Sequence, residues 1–199
     1  DVNGVGVEVI LKTFEDRRML DFCTPVLFGA SQVISIHKKT LEIETEIHEI
    51  HSMNQVKQGK INLLKIWEET INIEIGKATK TGGQYAFKSL NEATSALKQG
   101  EIDVLVTAPI NKETIQSESF TFSGHTEFLE NNLEGNSLMI LMNEFLKIGL
   151  ITGHIPVSKI SETITPELIE KKVTIFHDSL KKDFKIQKPK IAVLGLNPH

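Results

Sequence analysis

Apolar residues recur along this chain in two rhythms, short continuous runs and spacings of three and four. Val9, Ile10, Thr13 and Phe14 share one side of a helix predicted from about Val7 to Glu15, entered through the turn-rich Asp1-Val2-Asn3-Gly4-Val5-Gly6. Thr24 to Gly29 reads as a short strand closed by glycine, and Ser31 as the cap of a helix reaching about Thr40. Leu41 to Ile50 alternates charge with isoleucine, which predicts a partly exposed strand. From Asn54 to Asn72 no period dominates, and only Trp67 is expected to pack. Ala86, Leu90, Ala93 and Leu97 then mark a helix, with Gly100 where a stop belongs.

Asp103 to Val106 reads as a buried strand ending in Thr107-Ala108-Pro109-Ile110-Asn111-Lys112. Ser137 to Met142 and Lys147 to Thr152 are two further strands, too close in sequence for a crossover, so an antiparallel hairpin is expected. Thr165 caps a long helix with Pro166 at its first position, Ile169, Val173, Phe176 and Leu180 along one face, and Lys181 and Lys182 at its end. Ile191 to Leu196 is the last expected strand, running into Asn197-Pro198-His199. Helices alternating with strands, one pair of them antiparallel, give an α/β class with mixed sheets and flanking helices.

The candidate chemistry sits where the runs end. In open α/β sheets the ligand crevice lies beyond the carboxyl ends of the strands, where Thr107, Asn111 and Lys112 fall. In Phe122-Ser123-Gly124-His125-Thr126-Glu127-Phe128 a glycine turn delivers His125 and Thr126 to a helix start. Free amide groups and the positive end of the macrodipole meet an anion there, though Thr126 also suits a plain cap. His125, His154 and His199 each stand just past an apolar element beside Gly or Pro. Imidazoles are common metal ligands, and neutral ones suit zinc, cobalt or nickel, whereas carboxylates and water admit magnesium or manganese. Their long spacings match no local metal motif. His48 and His51 read as solvated surface and His177 as a helix residue.

Composition narrows the classes. With 40% hydrophobic and 24% charged residues the 199-residue chain is that of an ordinary globular protein. A net charge of -4 without a basic block argues against a nucleic-acid partner. Cys23, the single cysteine, has no intrachain partner, reads as a small core residue and suits a reducing cytoplasm. No apolar run reaches the roughly 18 residues of a membrane span, so no membrane partner is expected. Gly4 and Gly6 do not complete a dinucleotide loop, because Val9 stands at the third glycine position. The chain opens at Asp1 in a loop and stops after an apolar strand, so both ends are expected to be cut.

Five blocks, in order, resemble the 4-hydroxythreonine-4-phosphate dehydrogenase (PdxA) family. They are Asp1-Val2-Asn3-Gly4-Val5-Gly6-Val7-Glu8, Thr107-Ala108-Pro109-Ile110-Asn111-Lys112, Phe122-Ser123-Gly124-His125-Thr126-Glu127, Thr152-Gly153-His154-Ile155-Pro156 and Leu194-Gly195-Leu196-Asn197-Pro198-His199. The resemblance implies an isocitrate and isopropylmalate dehydrogenase-like subunit of two α/β domains with a cleft between them, split here as 1-117 and 118-199. It also implies a homodimer with a shared active site. His125 and Thr126 map onto substrate contacts and His154 and His199 onto ligands of a divalent metal, zinc, cobalt or magnesium. The third metal histidine and further substrate contacts fall in a C-terminal part that is absent, so the chain is expected to be inactive alone. The implied reaction is NAD-dependent oxidation and decarboxylation of 4-phosphooxy-L-threonine to 3-amino-2-oxopropyl phosphate, in pyridoxal 5'-phosphate biosynthesis. The opening departs from the family pattern, with Val2-Asn3 for Pro-Ala and Val7 for a helix-starting Pro. Other readings are a dehydrogenase of another phosphorylated acid such as 4-phosphoerythronate or a phosphothreonate, a metal-dependent hydrolase, and a phosphate-binding or dimerising module. No general base stands out.

Overall fold

In the computed structural model, residues 1–197 are described, and they form two compact units, Asp1–Leu133 and a second from Glu134 onward. In the first, β1 (Val26–Gly29) and β2 (His48–Ile50) flank β3 (Asn62–Lys65), all parallel, with Val26 and His48 both in register with Asn62. Asn62 explains why the central strand starts there. Its fully buried side chain accepts from Lys57 N at 3.0 Å and donates to the carbonyls of Pro25, Lys57 and Lys60, closing the preceding loop.

Helices α1 (Gly6–Glu15) and α2 (Ser31–Leu41) cover the sheet with Leu11, Ile34, Ile43 and Leu63. A second cluster joins Val2, Ala30, Val33, Trp67 and Ile71, so Trp67 is packed as expected. Helix α3 (Lys80–Lys98) begins at Thr79, whose hydroxyl accepts from Gly82 N at 3.0 Å. It stops before Gly100, at φ +73°, in the left-handed region glycine favours. Helix α4 (His125–Asn132) follows a long irregular stretch.

In the second unit β4 (Ile140–Met142) and β5 (Lys147–Gly149) form the expected antiparallel hairpin. A single-turn helix α5 (Ile160–Thr163) precedes α6 (Pro166–Lys182), which Thr165 caps by accepting from Leu168 N at 3.2 Å. Phe176 of α6 lies against Gly149, and Lys172 Nζ donates to Ser137 O at 2.7 Å. The class is therefore mixed α/β. Among the described residues no helix is long and apolar enough to cross a membrane.

Several expected elements differ. Asp103 to Val106 and Ile191 to Leu196 are irregular, and Val106 and Leu194 are 88% and 89% exposed. Their apolar runs have strand composition, yet among the described residues no strand pairs with them, and a strand needs a hydrogen-bonding neighbour. Most of Leu41 to Ile50 is not strand either. Glu42 adopts φ 55°, and Ile43 and Ile47 pack beneath the helices instead of alternating across a sheet. Ser31 is the first helical residue rather than the cap, and its hydroxyl donates to Glu49. Cys23 is exposed rather than in the core, at the end of a 3₁₀ turn where its thiol faces Met19 O at 3.7 Å.

Candidate functional site

The first unit carries a knot of phenylalanines that fixes the start of α4. Phe120 is fully buried, its ring 5.7 Å from Phe87, 5.5 Å from Phe122 and 5.4 Å from Phe128. Phe128 also meets Phe87 and Phe122 edge-on, and Ala86, Leu90 and Ile115 complete the cluster. Anchored by Phe128, α4 keeps its first turn at the surface, with His125 half-buried and Thr126 exposed. Gly124 precedes it in extended backbone, and no side chain caps the helix, so Thr126 is a first-turn residue and not the cap. The first amide groups are thus left for solvent or an anion.

The segment of Thr107 to Lys112 is held against two elements. Ala108 rests on Gly6 at the start of α1, where a Cβ would stand only 2.6 Å from the Ala108 Cβ. Asn111 Oδ1 accepts from Glu113 N at 3.1 Å and Thr114 N at 2.9 Å, forming a capped turn. That turn packs on α3 so closely that Gly83 lies directly beneath the Thr114 carbonyl. Gln116 Nε2 then donates to Lys112 O at 3.2 Å and Phe122 O at 2.9 Å, tying this turn to the strap that leads into α4. Lys112 Cε lies 3.8 Å from where a Gly124 Cβ would be, and Glu127 Oε2 lies 3.9 Å from the same point.

The opening loop reaches the same region. Asn3 is buried and fully engaged: its amide donates to Lys77 O and Thr79 Oγ1, and its carbonyl oxygen accepts from Glu74 N. Val2 O is 2.8 Å from Nε2 of the buried His37. Burial holds the His125 imidazole below its ordinary pKa of 6.5, with the Asp1 amino group and Lys112 adding to the effect. A neutral imidazole beside a lysine ammonium is suited to an oxyanion, accepting or donating one proton while the lysine supplies the charge.

Three of the five sequence blocks therefore converge in the first unit, bringing together His125, Thr126, Asn111 and Lys112, while Thr107 is exposed nearby in sequence. His154 belongs to the second unit, exposed after β5, and His199 lies outside the described residues. Imidazole chemistry suits a divalent ion, but among the described residues no group of three or more His, Cys, Asp or Glu side chains could hold one. His51 Nε2 is 3.8 Å from Glu49 at the exposed sheet end, and His177 faces Asp178. Sequence reasoning missed Gln116, Asn3 and His37. Asn3 stood inside a quoted block, whereas His37 carries no local signal because its partner carbonyl, Val2 O, is far off in sequence, and Gln116 none because both carbonyls it holds lie outside helices and strands.

The chain is 46% identical over its whole length to the 4-hydroxythreonine-4-phosphate dehydrogenase of Bacteroides thetaiotaomicron, of which it covers 55%. It is 29% identical, again over its whole length and covering 61% of the relative, to the provisionally named D-threonate 4-phosphate dehydrogenase of Oceanobacillus iheyensis. The crystal structure of a 4-hydroxythreonine-4-phosphate dehydrogenase from Burkholderia phymatum matches all of this chain and 61% of that one, with a TM-score of 0.84 at 26% identity. The chain thus spans between half and two thirds of the length of these proteins. The family model of the pyridoxal phosphate biosynthetic protein PdxA matches residues 21–199, through the capped turn, the phenylalanine knot and the start of α4, and the chain belongs to that family.

Proposed function

We propose that this chain acts as part of a 4-hydroxythreonine-4-phosphate dehydrogenase. The reaction is oxidation of 4-phosphooxy-L-threonine by NAD and loss of carbon dioxide, giving 3-amino-2-oxopropyl phosphate for vitamin B6 biosynthesis. The hydride leaves the carbon bearing the secondary hydroxyl for NAD, and the hydroxyl proton leaves to a base. The resulting β-keto acid then breaks its bond to the carboxylate, whose electrons remain as an enolate that is protonated. The observation carrying this reading is the convergence of the opening loop, the Asn111 turn and the His125-Thr126 helix start in a chain 46% identical throughout to a dehydrogenase of that name.

His125 and Thr126 bind and orient the phosphorylated substrate at the start of α4, with the imidazole neutral and able to donate or accept one hydrogen bond. His154 and His199 contribute to holding a divalent ion, whose chemistry when bound is to acidify the hydroxyl and stabilise the enolate. The subunit has the two-domain architecture of the isocitrate and isopropylmalate dehydrogenases, with the site in a cleft completed by a second subunit of a cytoplasmic homodimer. The test is NADH formation by the complete protein given 4-phosphooxy-L-threonine, NAD and a divalent metal, with and without a chelator. Chelator-sensitive NADH is expected, and none from the 199-residue chain alone. Absence of NADH from the complete protein refutes the reading.

A second reading keeps the chemistry and changes the substrate. It is favoured by the relative named for D-threonate 4-phosphate, similar to this chain over its whole length. Turnover of D-threonate 4-phosphate or 4-phosphoerythronate, and not of 4-phosphooxy-L-threonine, would establish it.

A further inference from the structure

Ion pairs engage a minority of the lysines, most of them with a carboxylate three or four residues away. Lys12 pairs with Glu8, Lys65 with Glu68, Lys77 with Glu74, Lys88 with Glu69 and Lys159 with Glu162. Lys112 differs. Its side chain is exposed, with Cε 3.8 Å from where a Gly124 Cβ would stand, its charge acts on His125, and among the described residues its ammonium forms no ion pair. Its backbone is fastened as well, since one Gln116 amide holds both Lys112 O and Phe122 O, two residues before Gly124. A lysine on a free turn samples many positions. Here the turn is capped by Asn111, seated on α3 at Gly83 and tied to the strap of α4, so the backbone that carries the lysine is held beside the start of α4.

We propose that Lys112 is a substrate-positioning residue, its ammonium binding the phosphate of the phosphorylated substrate alongside His125. This rests on the reading of His125 and Thr126 as substrate contacts. Phosphate fits because a dianion gains from an ammonium carried on a fastened turn next to a neutral imidazole and a hydroxyl, each able to donate to a separate oxygen. Glu127, which has an interaction of its own, brings Oε2 to 3.9 Å from the same point beside Gly124, so a carboxylate also borders the site.

Two measurements test the assignment independently. In the complete protein, Lys112→Met should raise KM for the phosphorylated substrate about tenfold or more while kcat changes less, and Lys112→Arg should recover part of the loss. Turnover with an unchanged KM in Lys112→Met overturns the inference and leaves the dehydrogenase standing. Absence of turnover by the unmodified protein refutes the dehydrogenase instead. The lysine is then judged by titrating inorganic phosphate into the complete protein while following the His125 ring proton by NMR. Phosphate should perturb that signal in the unmodified protein and do so at about tenfold higher concentration in Lys112→Met. Equal midpoints in the two overturn the inference, as does an unmoved His125 signal in both.

Discussion

Replacing Gly83 by alanine sets two physical effects against each other. Within α3, alanine is a better helix former than glycine, worth about 1 kcal/mol in an exposed helix interior. Gly83 is not exposed. A Cβ there would stand 1.8 Å from Thr114 O, 2.2 Å from Thr114 C and 2.7 Å from Ile115 N, against an ordinary contact of at least 3.4 Å. The colliding atoms are backbone, so no rotamer change relieves them. Either α3 or the turn must move by about 1.6 Å from the carbonyl oxygen, and the turn is fixed by the Asn111 cap and by Gln116. Overpacking of this sort costs about 1–3 kcal/mol and more when the backbone must shift. With the upper value set against the helix gain, a net loss of about 2 kcal/mol or more follows. Trp67, the only tryptophan, is packed in the first unit, so its fluorescence during urea unfolding reads that unit separately. The midpoint should fall, and by heat the same loss would appear as roughly 6–8 °C. Gly153→Ala, where nothing lies within 4 Å of the added atom, should stay within about 0.5 kcal/mol. An unchanged or raised midpoint for Gly83→Ala would mean that helix propensity wins and the close approach is not real.

Gly6→Ala should lower the unfolding midpoint, its added Cβ standing 2.6 Å from that of Ala108, and Ala108→Gly in the same chain should restore part of the loss; additive losses in a double-mutant cycle would refute the contact. Phe120→Ala removes the fully buried centre of the phenylalanine knot and should cost about 3–5 kcal/mol, read as the urea midpoint; a loss under about 1 kcal/mol would show that the knot does not hold the unit. His125 should titrate below 6.5 by NMR, chiefly through burial, with the Asp1 amino group and Lys112 assisting and Glu127 nearby, and Lys112→Met should raise the midpoint only partly. Because its folded pKa is depressed, the His125 contribution to stability is complete above 6.5 and is lost as pH falls from there through the folded value; a midpoint at or above 6.5 refutes the burial argument.

What could be read from the sequence was whatever neighbouring residues decide among themselves. The stop of α3 at Gly100 and the capped start of α6 at Thr165 follow from backbone freedom and one hydroxyl, with no need of the rest of the fold. Strand pairing is different, since the partner is elsewhere in the chain. Val104 and Val106 have the same apolar character as Leu63 and Leu64, yet Leu63 and Leu64 lie between two parallel neighbours, while Val104 and Val106 have none among the described residues. Composition fixes which segments can become strands and leaves open which of them find a ladder. The candidate site divides along the same line. That His125 starts a helix is local, written in Gly124 and the apolar residues that follow. That Lys112 stands beside it depends on one glutamine amide bridging two carbonyls ten residues apart in sequence, Lys112 and Phe122, and on a glycine small enough to seat the turn. A substitution at Gln116 should therefore loosen the pairing of Lys112 with His125 without touching either side chain, and the His125 midpoint should move towards 6.5 as it does when the lysine itself is removed.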